Sequence, residues 1–217
     1  MTFWNDIAAY GPGFLGAAWI VLWITILTIL LSWVCGLAAA LGQRSDLAAV
    51  RGAAAFYIWF IRGTPALIQI FIVYFGMPQL GIRLSPFTAG VLALGINSGA
   101  YVAEIIRSGL SAIPKGQTES ALAMGFSQAE TMRTIILPQV FRIILPPITN
   151  EAISVLKNTS LLSTITVVEL TLYAQTLISA TFRPFDFYIA VAIIYLVLTS
   201  MLTQLAGWLE RRYSRLS

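Results

Sequence analysis

"ESALAMGFSQAETMRTIILP" occupies residues 119–138, between two long apolar runs, and its reading decides how the chain is organised. It is too polar to enter a bilayer, yet it keeps small apolar residues, a glycine at Gly125 and a closing Pro138. Over 117–124 the residues favour helix and place Thr118, Ala121 and Leu122 on one face. Gly125 can then take the left-handed conformation that ends a helix without a side-chain clash. Ser127 and Glu130 stand in the S-x-x-E spacing of a capping box, so a second short helix starts there. It carries Ala129, Met132 and Ile136 on one face as far as Pro138. The spacing therefore predicts two short helices meeting at a glycine corner. A loop that merely connects spans through water gains nothing from an apolar face, whereas an exposed apolar knuckle marks a partner surface.

Composition fixes the surroundings of this stretch. Of 217 residues 58% are apolar and 10% charged, and the mean hydropathy is +0.83. That is too little polar surface for a soluble globule of this length, and the expected class is an all-α integral membrane protein. A formal charge of +4 would point to nucleic acid in a soluble chain, but here the basic residues sort by membrane side, and no nucleic-acid partner is expected. Cys35 is the single cysteine and there is no histidine. Disulfides within the chain, CxxC redox chemistry, histidine metal sites and histidine-based catalysis are excluded, and no resident metal or cofactor is expected.

Five apolar runs are long enough to span, at about 14–41, 53–76, 86–108, 139–157 and 187–208, in one membrane domain covering 1–217. No Lys or Arg precedes the first run, which is also too long for a signal core, so it is expected to stay as a helix. Arg44 and Arg51 follow the first run; Arg107, Lys115, Arg133 and Arg142 surround the loop at 109–138; Arg211, Arg212 and Arg215 close the chain. The other side receives Arg83, Lys157 and Arg183. The loop and the C-terminus are expected in the cytoplasm, the N-terminus outside, with membrane lipid around the spans. Residues 160–180 are apolar enough for a sixth span, but that would put the C-terminal arginines outside. They are expected as short helices tucked into the outer half.

With these features in place, Glu119, Ala121, Gly125 and the Ile135-x-Leu137-Pro138 ending resemble the EAA loop of ABC importer permeases, with Ser120 where that pattern has alanine. "RGTPALIQIFIVYFGMP" at 62–78 and "NEAISVLKNTSL" at 150–161 are similar to segments of the polar amino-acid branch, of histidine/glutamine type. The resemblance implies that Glu119, Ala121, Gly125, Leu137 and Pro138 couple the chain to a cytoplasmic ATPase. It implies two ATPases, a second permease chain, identical or homologous, and an extracytoplasmic amino-acid-binding protein, in a bacterial cytoplasmic membrane. No GxxxxGK[ST] loop occurs in the sequence, so ATP would be used by a partner subunit and this chain is not expected to be an enzyme.

Charged groups inside spans are costly unless they line a pathway or find partners. Asn97, Tyr101, Glu104 and Ser108 fall on one helical stripe, and Asn150, Ser154 and Lys157 on another. Arg62 precedes Gly63-Thr64-Pro65, where the proline can kink the second span; it either pairs with Glu104 or lies near substrate. Pro146 and Pro147 are expected to break the fourth helix before Asn150 and Glu151, freeing carbonyls beside a carboxylate. Glu169 should contact the pathway or a basic partner such as Lys157. The candidate substrate residues are Arg62, Glu104, Asn150, Glu151, Ser154 and Glu169, and their charges lean toward a cationic amino acid. A second reading is a stand-alone channel or secondary transporter, whose intramembrane carboxylates would relay protons or ions.

Overall fold

The protein is described here from a computed structural model, which covers residues 3–214. Among these residues every regular element is helical. Three helices are long and apolar enough to cross a membrane, or up to five spans if each of two bent pairs counts as one.

The first helix, α1, runs Phe3–Gly42, and α4 runs Pro86–Ser111. They cross closely because glycine faces bulk along the seam. A methyl group added at Gly95 would lie 2.5 Å from Leu31, at Gly99 2.6 Å from Cys35 and at Gly36 2.5 Å from Val102. Small residues thus let the backbones approach where lipid supplies no hydrophobic drive for association. The paired numbers rise together, so α1 and α4 run in the same direction.

Between them the chain must return. It does so through α2, Ala48–Arg62, and α3, Ala66–Phe71, which continues as a π-helical turn at Ile72–Gly76 and a 3-10 turn at Met77–Leu80. The two parts meet at 111°, with Gly63, Thr64 and Pro65 at the break. Pro65 disfavours helix at the residue before it and has no amide to donate, which accounts for the interruption.

Beyond α4, the short helix α5, Lys115–Ala123, turns at Gly125 into α6, Gln128–Thr131. A π-helical turn at Met132–Ile136 leads directly into α7, Leu137–Asn158. Helix α7 runs opposite to α4: Ile144 packs at Gly109, Ser98 bonds Glu151, and Leu162 beyond the helix end packs at Gly90. After a 3-10 turn at Thr159–Ile165 come α8, Leu170–Thr181, and α9, Pro184–Ser214. Contacts of Thr149 with Glu210 and of Thr159 with Tyr195 show that α9 runs opposite to α7.

Two expectations need correction. Pro138 does not close a helix; the helical run continues through it, with the π-helical turn at Met132–Ile136 just before it. Pro146 and Pro147 do not break the fourth helix, because α7 continues through both. Tertiary contacts hold that stretch: Ile144 is buried against α4 and Thr149 meets Glu210 of α9, while the Thr149 hydroxyl also donates within the helix to the Pro146 carbonyl at 2.8 Å. Residues 160–180 form two short helical pieces, as their composition and charge context imply.

Candidate functional site

Two regions carry the candidate residues. The first is the α5–α6 corner, at the end toward which α1 and α4 run. Gly125 has φ +91°. Its amide donates to the Leu122 carbonyl at 3.0 Å and the next amide, of Phe126, reaches Ala121 at 3.1 Å, the paired bonds of a Schellman ending. On the other side of the corner the capping box is complete: Ser127 Oγ accepts from the Glu130 amide at 3.3 Å, while the Ser127 amide donates to Glu130 at 2.9 Å. The Ser127 hydroxyl also donates to Glu130, and these two donors hold its carboxyl below the usual carboxylate range.

Ala121 is buried inside the corner, as is Ile136 beyond it, whereas Leu122, Met124, Phe126 and Leu137 are exposed. Glu119 and Pro138 are exposed as well. The corner is therefore rigidly folded by its own bonds and presents apolar side chains outward.

The second region lies along α4. Glu104 accepts from Arg107 Nε at 3.0 Å and from a second nitrogen of the same guanidinium. Arg62 stands farther off, at 3.6 Å from Glu104, with its guanidinium 5.8 Å from the centre of the Tyr101 ring. The pairing of Arg62 with Glu104, one of the two roles open to it from sequence, is thus present. Glu151 has a different neighbour, Ser98, whose hydroxyl donates to it at 2.8 Å. Ser98 is almost fully buried and had no mark in the sequence, since it sits off the Asn97–Tyr101–Glu104 stripe. Asn150 is exposed beside it, and Ser154 turns its hydroxyl back to the Asn150 carbonyl at 3.0 Å.

Glu169 is not gathered with these groups. Its side chain, completely buried, caps α8 by accepting from the amides of Thr171 at 2.9 Å and Leu172 at 3.0 Å. Tyr195 of α9 donates to it at 2.9 Å. Its partners are thus two helix N–H groups and a phenol, not Lys157. Asn97, also on the predicted stripe, points into the bend of the second span and donates to Gln69 at 3.0 Å.

Comparison with known proteins agrees with this architecture. A family model described as "Binding-protein-dependent transport system inner membrane component" matches residues 32–215. The chain is 39% identical to the glutamine transport system permease protein GlnP of Escherichia coli (strain K12), over 96% of each chain. It is 41% identical to the probable amino-acid ABC transporter permease protein YckA of Bacillus subtilis (strain 168), over 88% of this chain and 84% of that one. A crystal structure of an amino acid ABC transporter with histidines contains a chain that superposes with a TM-score of 0.91 at 40% identity, over 98% of this chain and 99% of that one. The MetNI methionine ABC transporter shares the fold, with a TM-score of 0.74 at 16% identity, over 90% of this chain and 93% of that one. The chain belongs to the family of binding-protein-dependent transport system inner membrane components, a multi-pass transport subunit and not an enzyme.

Proposed function

We propose that this chain is the membrane-spanning permease subunit of an ATP-driven importer that carries a polar amino acid, of cationic type, across the bacterial cytoplasmic membrane. The observation that carries this reading is the α5–α6 corner: a self-bonded knuckle with Leu122, Met124 and Phe126 exposed at one end of the spans. A cytoplasmic ATPase docking there would move α4 and α7 together, because α5 follows α4 and α6 runs on into α7. The two helices that carry Glu104, Ser98 and Glu151 are the same two, so work at the corner reaches the polar strip directly.

In this reading Glu119, Ala121, Gly125, Leu137 and Pro138 form the docking segment, on the cytoplasmic side with the C-terminus, and the N-terminus lies outside. ATP is bound by the partner subunits and no cofactor by this chain. An extracytoplasmic binding protein delivers substrate, and a second permease, identical or homologous, completes the path. Relatives named as glutamine or amino-acid permeases support an amino-acid substrate, and the cationic type rests on the intramembrane carboxylates. The test is uptake into proteoliposomes containing the permease, its ATPase and its binding protein. Amino-acid uptake that requires ATP and the binding protein is the expected result; uptake by the permease alone would favour a secondary transporter.

A further inference from the structure

The helical run from Gln128 to Asn158 is continuous but not uniform. In its π-helical turn, Met132–Ile136, the Leu137 amide donates to the Met132 carbonyl five residues back, where an α-helix would use Arg133. The next residue is Pro138, which has no amide to donate and whose ring would crowd the Thr134 carbonyl in a plain α-helix. The wider turn relieves that crowding. The other π-helical turn among the described residues, Ile72–Gly76, likewise ends two residues before a proline, Pro78.

The extra residue in the turn changes which side chains face α4. In an unbroken α-helix residues four apart drift by about 40° around the axis, so Met132 and Ile144 would differ by about 120°. Met132, Ile136, Val140 and Ile144 nevertheless pack into one apolar cluster with Ala39 of α1 and with Val102, Ala103 and Ile106 of α4. A turn that takes in one more residue returns about 100° of that drift and brings the four onto one stripe. Met132 lies on the side of the α5–α6 corner and Val140 and Ile144 on α7, so the turn fixes the rotation of one against the other. Gln139 braces the junction. Half-buried, it donates its side-chain amide to the Ile135 carbonyl at 2.8 Å, a bond that runs across Pro138 from α7 back into the turn.

We infer that this turn is a phase-setting joint of the transport stroke, with Gln139 as its positioning residue. An ATPase docked on the corner pulls on α7 at one angle about the helix axis, and the turn decides that angle. In the plain α-register the corner would swing by about 100° and carry Met132 away from α4. Coupling therefore depends on the number of residues between the corner and α7, not on their side chains alone. This inference rests on the importer reading and adds how a motion at the docking segment reaches α7.

The experiment uses the complete complex of permease, ATPase and binding protein in proteoliposomes. It reads amino acid imported per ATP hydrolysed, together with thermal unfolding of the permease. Deleting Thr134, an exposed residue of the turn, removes the extra residue. ATP-driven uptake should be lost, while the complex still co-purifies and hydrolyses ATP. Thr134→Ala keeps the length and should import as the unaltered complex does. Gln139→Leu should lower import per ATP by about fivefold, the worth of one hydrogen bond, with little change in the unfolding midpoint. Gln139→Lys keeps a donor on a long stem and should restore most of that loss. A brace that is only structural would lower the midpoint and leave the import ratio unchanged, which overturns the inference. Full coupling after deletion of Thr134 overturns it too, as does a Thr134→Ala complex as uncoupled as the deletion. Should the deletion fail to assemble, the Gln139 pair decides: Gln139→Leu and Gln139→Lys complexes that both import like the unaltered one overturn the inference. If ATP-dependent uptake by the unaltered complex stands beside such variants, the importer reading holds and only the joint falls. If the unaltered complex imports no amino acid, the importer reading itself falls.

Discussion

The side-chain amide of Gln69 donates to the backbone carbonyl of Ile61 at 2.8 Å, across the bend in the second span. Ile61 lies four residues before Pro65, so its carbonyl is the one that the missing proline amide leaves without a helical donor. The same Gln69 nitrogen lies 3.1 Å from the Thr64 carbonyl and 2.7 Å from its hydroxyl, and the amide oxygen accepts from Asn97 of α4. One side chain thus replaces a backbone donor and ties the bend to the most buried helix.

Gln69→Leu keeps much of the volume but leaves the Ile61 carbonyl and the Asn97 amide unpaired in a buried place. The loss should be about 2 kcal/mol or more, since each buried polar group without a partner costs roughly 1–3 kcal/mol. Thermal unfolding of the purified permease in detergent reads this directly. An unchanged midpoint would mean that water or a neighbouring donor takes over, and that the amide is not what holds the bend.

Glu169 gives a contrasting case. Because it caps α8 and holds Tyr195 of α9, Glu169→Ala should lower stability by about 2 kcal/mol. Glu169→Gln retains an acceptor oxygen and should lose less, and Tyr195→Phe should remove only the bond to α9. Selectivity among amino acids should stay as it was in all three. A variant with full stability and altered selectivity would instead place Glu169 in the pathway.

At the corner, Gly125→Val puts a β-branched residue at φ +91°. The left-handed region costs an L-residue roughly 1–2 kcal/mol, and more for a β-branched one, so the corner should re-form differently instead of holding its shape. ATP hydrolysis should then proceed with little uptake, while the spans stay folded. Glu119→Ala, an exposed change that leaves the backbone alone, should weaken coupling in the same direction but less. Normal uptake by the Gly125→Val complex would return this segment to the role of a plain connection.

Much of this corner was legible in the sequence because its determinants are local. A glycine with φ above zero and a capping box are written in residues three or four apart, and both are present in the structure. The course of α7 was not legible: a proline pair reads as a break, yet the packing of Ile144 and the bonds of Thr149 keep the helix whole. Glu151 could be singled out by the cost of a charge in a span, but its partner could not. Ser98 lies 53 residues away on another helix, and only the antiparallel register of α4 and α7 brings the two together. Glu169 shows the same limit from the other side. Composition reveals a costly carboxylate, while two amides and a distant phenol decide that it is satisfied.

The final prediction concerns the number of crossings. Helix α1 shares its direction with α4, α7 opposes α4, and α9 opposes α7, so α9 runs with α1. The rings of Phe14 and Phe187, 6.4 Å apart, lie in the N-terminal halves of α1 and α9, as that shared direction requires. If the bent pair Ala48–Arg62 and Ala66–Leu80 returns the chain across the membrane once, the crossings number five and the two ends of the chain lie on opposite sides. Single cysteines introduced by Ser85→Cys and Ser214→Cys, in a Cys35→Ala background, test this in intact cells. An impermeant thiol reagent should label the first from outside and the second only after the cells are opened. Labelling of the Ser214→Cys variant from outside would require an even number of crossings. Residues 160–180 would then have to span the membrane themselves, against the short helices seen there and against the basic residues that close the chain.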